Sequence, residues 1–208
     1  MNKIPVFTVP LYEFTCDDAL TNDVLDIAKE ETYIQNASNK TSTTRLKYKP
    51  LIQWFDQCLA EIKQDLYDNL TFDLKVSDCW INKSSYTEKH HGHSHANSMY
   101  SGVFYLTTHN KKATTRLFLP NPFYNMDHTN LFAIKELATS SKTSISAEIA
   151  PVAGKLLIFP SHVFHETTTN VTRDNRYTVS FNSFISGIIG KDDDLTTLHI
   201  ITKFLDDE

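Results

Sequence analysis

Cysteine is scarce in this sequence. Cys16, Cys58 and Cys79 are the three present in 208 residues, and no two stand in a C-x-x-C spacing. That argues against a disulfide-stapled scaffold and for buried or free thiols in a reducing compartment. Long apolar runs are lacking too, and nothing approaches the roughly 20 residues a spanning helix needs. Met1 to Phe14 carries one lysine, two prolines and no sustained apolar stretch, which does not read as a signal peptide. There is no long block of one charge sign, no internal repeat and no linker-like low-complexity tract. The formal net charge of −5 leaves no electrostatic footprint for wrapping nucleic acid. The expectation is a soluble, cytoplasmic protein with neither membrane nor nucleic acid as partner.

What is present suffices for a packed core: 40% hydrophobic and 12% aromatic residues, with 22% charged. The length fits one domain of ordinary size. Ile4 to Phe14 reads as an extended segment, pushed to a sheet edge by Pro5 and Pro10. Asp17 to Thr32 has helical character, with Leu20, Val24, Leu25, Ile27 and Ala28 roughly on one face. Asn36 to Thr44 reads as a polar loop. Leu51 to Leu70 is the clearest helix, since Leu51, Phe55, Cys58, Leu59, Ile62 and Leu66 recur at the helical period.

Strand-like segments follow: Phe72 to Ile81, Met99 to Thr107, Thr114 to Leu119, Thr143 to Ala150, Lys155 to Pro160 and Tyr177 to Ile185. Helices first and many short strands after indicate an all-β core with flanking helices that buttress one sheet. Within the single domain, 1–70 is the N-terminal strand and helices, 71–186 the catalytic β core and 187–208 a C-terminal extension. Asn121 to Lys142 is a long insertion between strands, of the kind that forms lids or binding loops. With Ser84 to His91 it is the expected substrate contact, on position alone. Leu198 to Leu205 alternates partly and is expected to add a strand or a homodimer contact.

Nine histidines are an excess, and their placement matters more than their number. Four are His90, His91, His93 and His95, in KHHGHSHANS. Two more are His162 and His165, in FPSHVFH. If the run around His93 and His95 is extended, both point to one face, because strand side chains alternate. Two such imidazoles can chelate a metal, with a third ligand from elsewhere. His165, close behind the strand Lys155 to Pro160, is placed to supply it. The plain alternatives are a solvated polar loop or a zinc site. Eleven residues beyond His165, Arg176 opens RYTVSFNSF, with Thr178 on the same face. An arginine fork beside a hydroxyl suits bidentate capture of a carboxylate. The alternative for Arg176 is a surface charge on an edge strand.

Three blocks, HSHANSMYSGVFYL, PVAGKLLIFPSHVFHETTTN and RYTVSFN, resemble in order the 2-oxoglutarate/Fe(II) oxygenase family of bacteria and tailed phages. The resemblance covers roughly Trp80 to Asn182. It implies a double-stranded β-helix (jelly roll), Fe(II), 2-oxoglutarate as co-substrate, O2, and ascorbate as reductant. It would place the protein in the host cytoplasm if phage-encoded. By position it implies His93 and His165 as metal ligands, Arg176 as anchor of the distal carboxylate of 2-oxoglutarate, and Thr178 as its supporting hydroxyl. Trp80 and Asn82 fall on a W-x-N strand, and Ser101 and Gly102 on an S-G pair. Asn82 and Tyr105 are expected beside the co-substrate.

The second ligand stays open. The common triad of this superfamily has two histidines and a carboxylate, whereas His95 stands two residues after His93. Either the site has three histidines, or Glu88, Asp127 or Glu166 reaches in. Ala96 and Thr169 stand where the family has proline. The function implied is hydroxylation of an unidentified small-molecule or protein substrate, coupled to conversion of 2-oxoglutarate to succinate. The competing expectations are a cupin-type three-histidine iron dioxygenase without 2-oxoglutarate, and a non-catalytic jelly-roll binding or virion module.

Overall fold

The structure is a computed structural model that describes residues 9–36, 41–66, 71–109, 113–118, 146–191 and 195–204. The chain opens with β1 (Tyr12–Thr15), α1 (Asp18–Glu30), β2 (Ile34–Asn36), β3 (Thr41–Arg45) and α2 (Lys49–Leu66). The β core follows: β4 (Phe72–Ser84), β5 (His90–His93), β6 (Tyr100–Tyr105), β7 (Thr115–Phe118), β8 (Ser146–Ile149), β9 (Lys155–Pro160), β10 (Phe164–Thr167), β11 (Arg176–Ile189) and β12 (Leu198–Ile200).

Both helices start where the chemistry allows. The Asp17 side chain accepts from the Leu20 N–H at 2.8 Å and caps α1. Pro50 sits in the first turn of α2, where its missing N–H costs nothing. α2 buries Leu51, Ile52, Phe55, Cys58, Leu59 and Ile62. Leu66, expected on this face, is exposed, and residues 67–70 of the expected helix lie outside the described residues.

The strands form two antiparallel sheets. The larger runs β1-β9-β6-β11-β4-β3-β2, with β12 on the far end of β11, and the smaller runs β5-β10-β7-β8. The helices cover the outer face of the large sheet, where Phe55 lies 4.5 Å from Phe181. A smaller cluster of Val103, Tyr105, Leu117, Leu157, Phe159 and Val163 fills the space between the sheets. Phe181 lies over Gly102, where any Cβ would collide with its ring. The three thiols are free and buried.

Several boundaries differ from the sequence expectation, each for a pairing reason. Of the expected loop Asn36 to Thr44, Asn36 ends β2 and Thr41 to Thr44 belong to β3, which pairs with β2 and β4, while residues 37–40 lie outside the described residues. The threonines of β3 are β-branched and suit a pleated surface. β4 continues past Ile81 to Ser84, held by β11 on one side and β3 on the other. β10, not expected as a strand, pairs with both β5 and β7. β1 is at a sheet edge, as expected, and pairs with β9. The C-terminal segment adds a strand through β12. The insertion Asn121 to Lys142 lies outside the described residues. No helix among them is long and apolar enough to cross a membrane.

Candidate active site

Alternation along β11 sorts its residues onto two faces. Tyr177, Val179 and Phe181 join the core beneath the helices, while Arg176, Thr178 and Ser180 face the space between the sheets. Across the ladder, Ser84, Asn82 and Trp80 of β4 stand opposite Arg176, Thr178 and Ser180. The interior face of the large sheet is therefore polar at this end. It forms one wall of a pocket whose other wall, from the small sheet, carries His90, His93, His165, Thr115 and Thr167.

His93, His95 and His165 meet in this pocket, with their ligand atoms within 4.8 Å of one another. His93 and His165 are ladder partners across β5 and β10. His95 arrives differently from the expectation of one continuous strand, since β5 ends at His93. Its backbone N–H instead donates to the Ser161 carbonyl at 3.0 Å. The Ser161 hydroxyl is in turn bonded to those of Ser98 and Ser101, at 2.7 and 2.8 Å. The sequence reading does not single out Ser161, whose signal was only its place directly after Phe159 and Pro160.

The ring nitrogens are preset. His93 Nδ1–H donates to the His91 carbonyl at 2.9 Å, and His165 Nδ1–H to the Val163 carbonyl at 3.0 Å. Each bond leaves Nε2 as the free lone pair, as metal-binding imidazoles require. His95 Nε2 lies 3.3 Å from His165 Nε2. Burial, then the neighbouring His93, pushes His95 down to about 4 and His165 down to about 3. Burial lowers His93 as well. All three are neutral at pH 7, so no proton competes with a cation. His90 stacks on His93 at 4.5 Å, and burial followed by His93 pushes it down to about 3.

The carboxylate alternatives are engaged elsewhere. Glu88 accepts from the Ser85 N–H at 2.6 Å, and Glu166 pairs with Arg116 at 2.9 Å. Asp127 lies outside the described residues. His162 is exposed on the surface.

Arg176 is 3% exposed, and its Nε and Nη2 atoms have no hydrogen-bond partner. The Tyr105 ring lies 5.7 Å from the guanidinium carbon. Burial pulls the arginine below its ordinary value, while Tyr105 opposes the shift. The Tyr105 hydroxyl donates at 2.7 Å to Thr115 Oγ1, a residue of the pocket wall, so Tyr105 stands beside both Arg176 and that wall. Thr178 is buried in the wall two residues along. Asn82 donates to Ser180 Oγ at 3.0 Å and leaves its own Oδ1 unpartnered. A buried cation without a hydrogen-bond acceptor costs several kcal/mol on the usual scale, so the orphaned Arg176 donors call for an anion. Three neutral imidazoles and a waiting guanidinium fit a divalent metal and a dicarboxylate that spans from it to Arg176.

The family model described as "Putative 2OG-Fe(II) oxygenase" matches residues 78–182, half of the chain. No curated protein matches by sequence. Among solved structures, a prolyl-4-hydroxylase from Pseudomonas putida is 16% identical with a TM-score of 0.61, over 84% of this chain and 93% of that one. An oxidoreductase of the 2OG-Fe(II) oxygenase family from Burkholderia pseudomallei is 11% identical with a TM-score of 0.60, over 83% and 84%. HygX from Streptomyces hygroscopicus, crystallised with nickel, 2-oxoglutarate and hygromycin B, is 12% identical with a TM-score of 0.57, over 85% and 83%. At such identities the likeness speaks for the fold, a double-stranded β-helix.

Proposed function

Because the chain belongs to the 2-oxoglutarate/Fe(II) oxygenase family, we propose that it is a hydroxylase whose metal is held by His93, His95 and His165. The net reaction turns 2-oxoglutarate, O2 and a C–H bond of the substrate into succinate, CO2 and a C–OH group. Iron and 2-oxoglutarate, when bound, supply the oxygen activation and the reducing equivalents. The substrate is a small molecule or a protein.

The chain's own residues bind, orient and exclude water. The Val163 and His91 carbonyls fix two imidazole tautomers, and the Ser161 carbonyl holds the backbone of His95. Arg176 receives the distal carboxylate, with the Thr178 hydroxyl beside it. Phe159, 4.8 Å from His165, and Trp80, 6.0 Å from His95, keep the ligand rings in an apolar surround. The observation that carries the reading is the buried Arg176 fork, unpartnered, in the same pocket as the three imidazoles. A dioxygenase whose organic substrate itself chelates the metal has no use for that second carboxylate clamp.

The test incubates iron-loaded protein with 2-oxoglutarate, ascorbate and air, and measures succinate by mass, with His165→Ala as the blank. Succinate above the blank is expected even without the prime substrate. No succinate, together with no binding of the keto acid to iron- or manganese-loaded protein, would overturn the reading in favour of the cupin-type or binding-module alternatives.

A further inference from the structure

Asn170 lies in neither ligand set, yet it is fully buried, at 0% exposure, in the connection between β10 and β11. Every hydrogen-bonding position it has is filled. Its Nδ2 donates to the Ser84 carbonyl and to the Asp174 carbonyl, both at 2.9 Å. Its Oδ1 accepts from the Thr172 N–H at 3.0 Å and from the Thr172 hydroxyl at 2.7 Å. Its backbone N–H donates to the Glu88 carbonyl at 2.8 Å, and its carbonyl accepts from the Thr87 N–H at 2.7 Å.

These bonds join the segments that carry the two ends of the site. Ser84 is the last residue of β4 and the ladder partner of Arg176. Asp174 precedes Arg176 by two residues. Thr87 and Glu88 form the turn that leads into β5, where His93 sits. His165 lies five residues upstream of Asn170 on β10. One side chain and its own peptide groups therefore tie the start of the arginine strand to the approach of the histidine strand. A buried amide with all its valences met is rigid, because each bond lost leaves a buried polar group unpaired.

We propose that Asn170 is a positioning residue that sets the distance between the metal-binding histidines and the Arg176 guanidinium, and so selects the length of keto diacid the pocket accepts. The inference rests on the proposed function, since it needs a ligand that spans from metal to arginine. Asn170 touches neither end of that ligand. It acts through the backbone of Ser84 and Asp174 on one side and of Thr87 and Glu88 on the other. Loosening this clip should harm the five-carbon ligand most and relax discrimination against a chain one methylene longer.

The experiment titrates 2-oxoglutarate and 2-oxoadipate into manganese-loaded protein by calorimetry, for the native chain, Asn170→Ala and Thr172→Val. For Asn170→Ala the dissociation constant of 2-oxoglutarate should rise about tenfold, and its advantage over 2-oxoadipate should shrink by roughly fivefold. Manganese affinity should stay within about threefold, because the three imidazoles keep their own tethers. Thr172→Val removes the hydroxyl that donates to Asn170 Oδ1 at 2.7 Å and that also lies 3.2 Å from His109 Nδ1 and 3.3 Å from the Asp174 carbonyl, while keeping the Asn170 amide itself, and should shift the ratio the same way by less. It carries the test alone if circular dichroism shows Asn170→Ala unfolded. An unchanged ratio of the two dissociation constants, whatever the loss of thermal stability, overturns the proposal and leaves Asn170 a structural residue. Native protein that binds manganese but neither keto acid overturns the proposed function itself, and this inference with it.

Discussion

His165 of β10 stands directly across the ladder from His93 of β5, with ring centroids 4.4 Å apart. Strand pairing thus brings together two imidazoles separated by 72 residues of sequence. A slip of one residue would send one of the rings to the outer face.

Removal of any one of the three imidazoles should release the metal. His93→Ala, His95→Ala and His165→Ala should each retain only a small fraction of the iron found in the native chain, as measured by elemental analysis after desalting. The His95 variant is decisive for the ligand set. Full iron and full activity in His95→Ala would mean that a carboxylate, not this imidazole, completes the site.

Arg176→Ala should weaken 2-oxoglutarate binding on the order of thirty-fold or more, because a desolvated charge pair is worth about 2–5 kcal/mol to the complex. A surface ion pair would cost far less, about 0–1 kcal/mol. Arg176→Met should bind the keto acid equally poorly, yet melt at a higher temperature than the native chain when both are free of ligand. The reason is that an unpartnered buried cation destabilises the empty pocket, and a methionine of similar reach does not. Calorimetric titration and a thermal melt separate the two effects.

Acid should destabilise the metal-free protein well before its carboxylates titrate. His95 sits at about 4 and His165 and His90 at about 3 in the native state, against about 6.5 in the unfolded chain. Between those values the unfolded chain binds more protons than the native one, so stability falls as pH drops through that window and is fully present above it. Melting temperatures measured from pH 7 to pH 4.5 should decline steadily. Replacing His95 by glutamine should flatten the slope, by at most about 1.4 kcal/mol per pH unit. An unchanged slope would mean that this imidazole is not held neutral by burial.

Gly102→Ala should destabilise the fold, because its methyl would point away from the pocket that Gly102 lines and into the core under the helices. The added methyl points into the ring of Phe181, which is packed at 0% exposure against Phe55. Forcing extra volume into a filled core costs about 1–3 kcal/mol. Chemical denaturation should show that loss, while manganese affinity, measured on the folded variant, should be unchanged.

Much of the architecture was legible in local pattern. The apolar period of α2 marks its buried face from Leu51 to Ile62, and β9 runs over the same residues, Lys155–Pro160, that its composition indicates. These features follow from side-chain periodicity and turn chemistry, which act over a few residues. The strand status of Thr41–Arg45 and Phe164–Thr167 was not legible, because it depends on an open sheet edge supplied by distant segments. The same holds for the end of β4 at Ser84.

The candidate site divides in the same way. Residue types and their order single out His93, His95, His165 and Arg176 as chemistry-bearing, since imidazoles and a guanidinium in that succession have few other shared uses. Alternation in RYTVSFNSF shows that Arg176 and Thr178 share a face, but not which face is interior. Pairing with β4 and β6, and the helices on the apolar side, turned the polar face inward. The tether of His95 to Ser161, the unpartnered state of the Arg176 fork and the closed valences of Asn170 were decided only by the tertiary structure. Hydrogen-bond partners and burial depend on which distant segments meet, and no local pattern encodes that meeting.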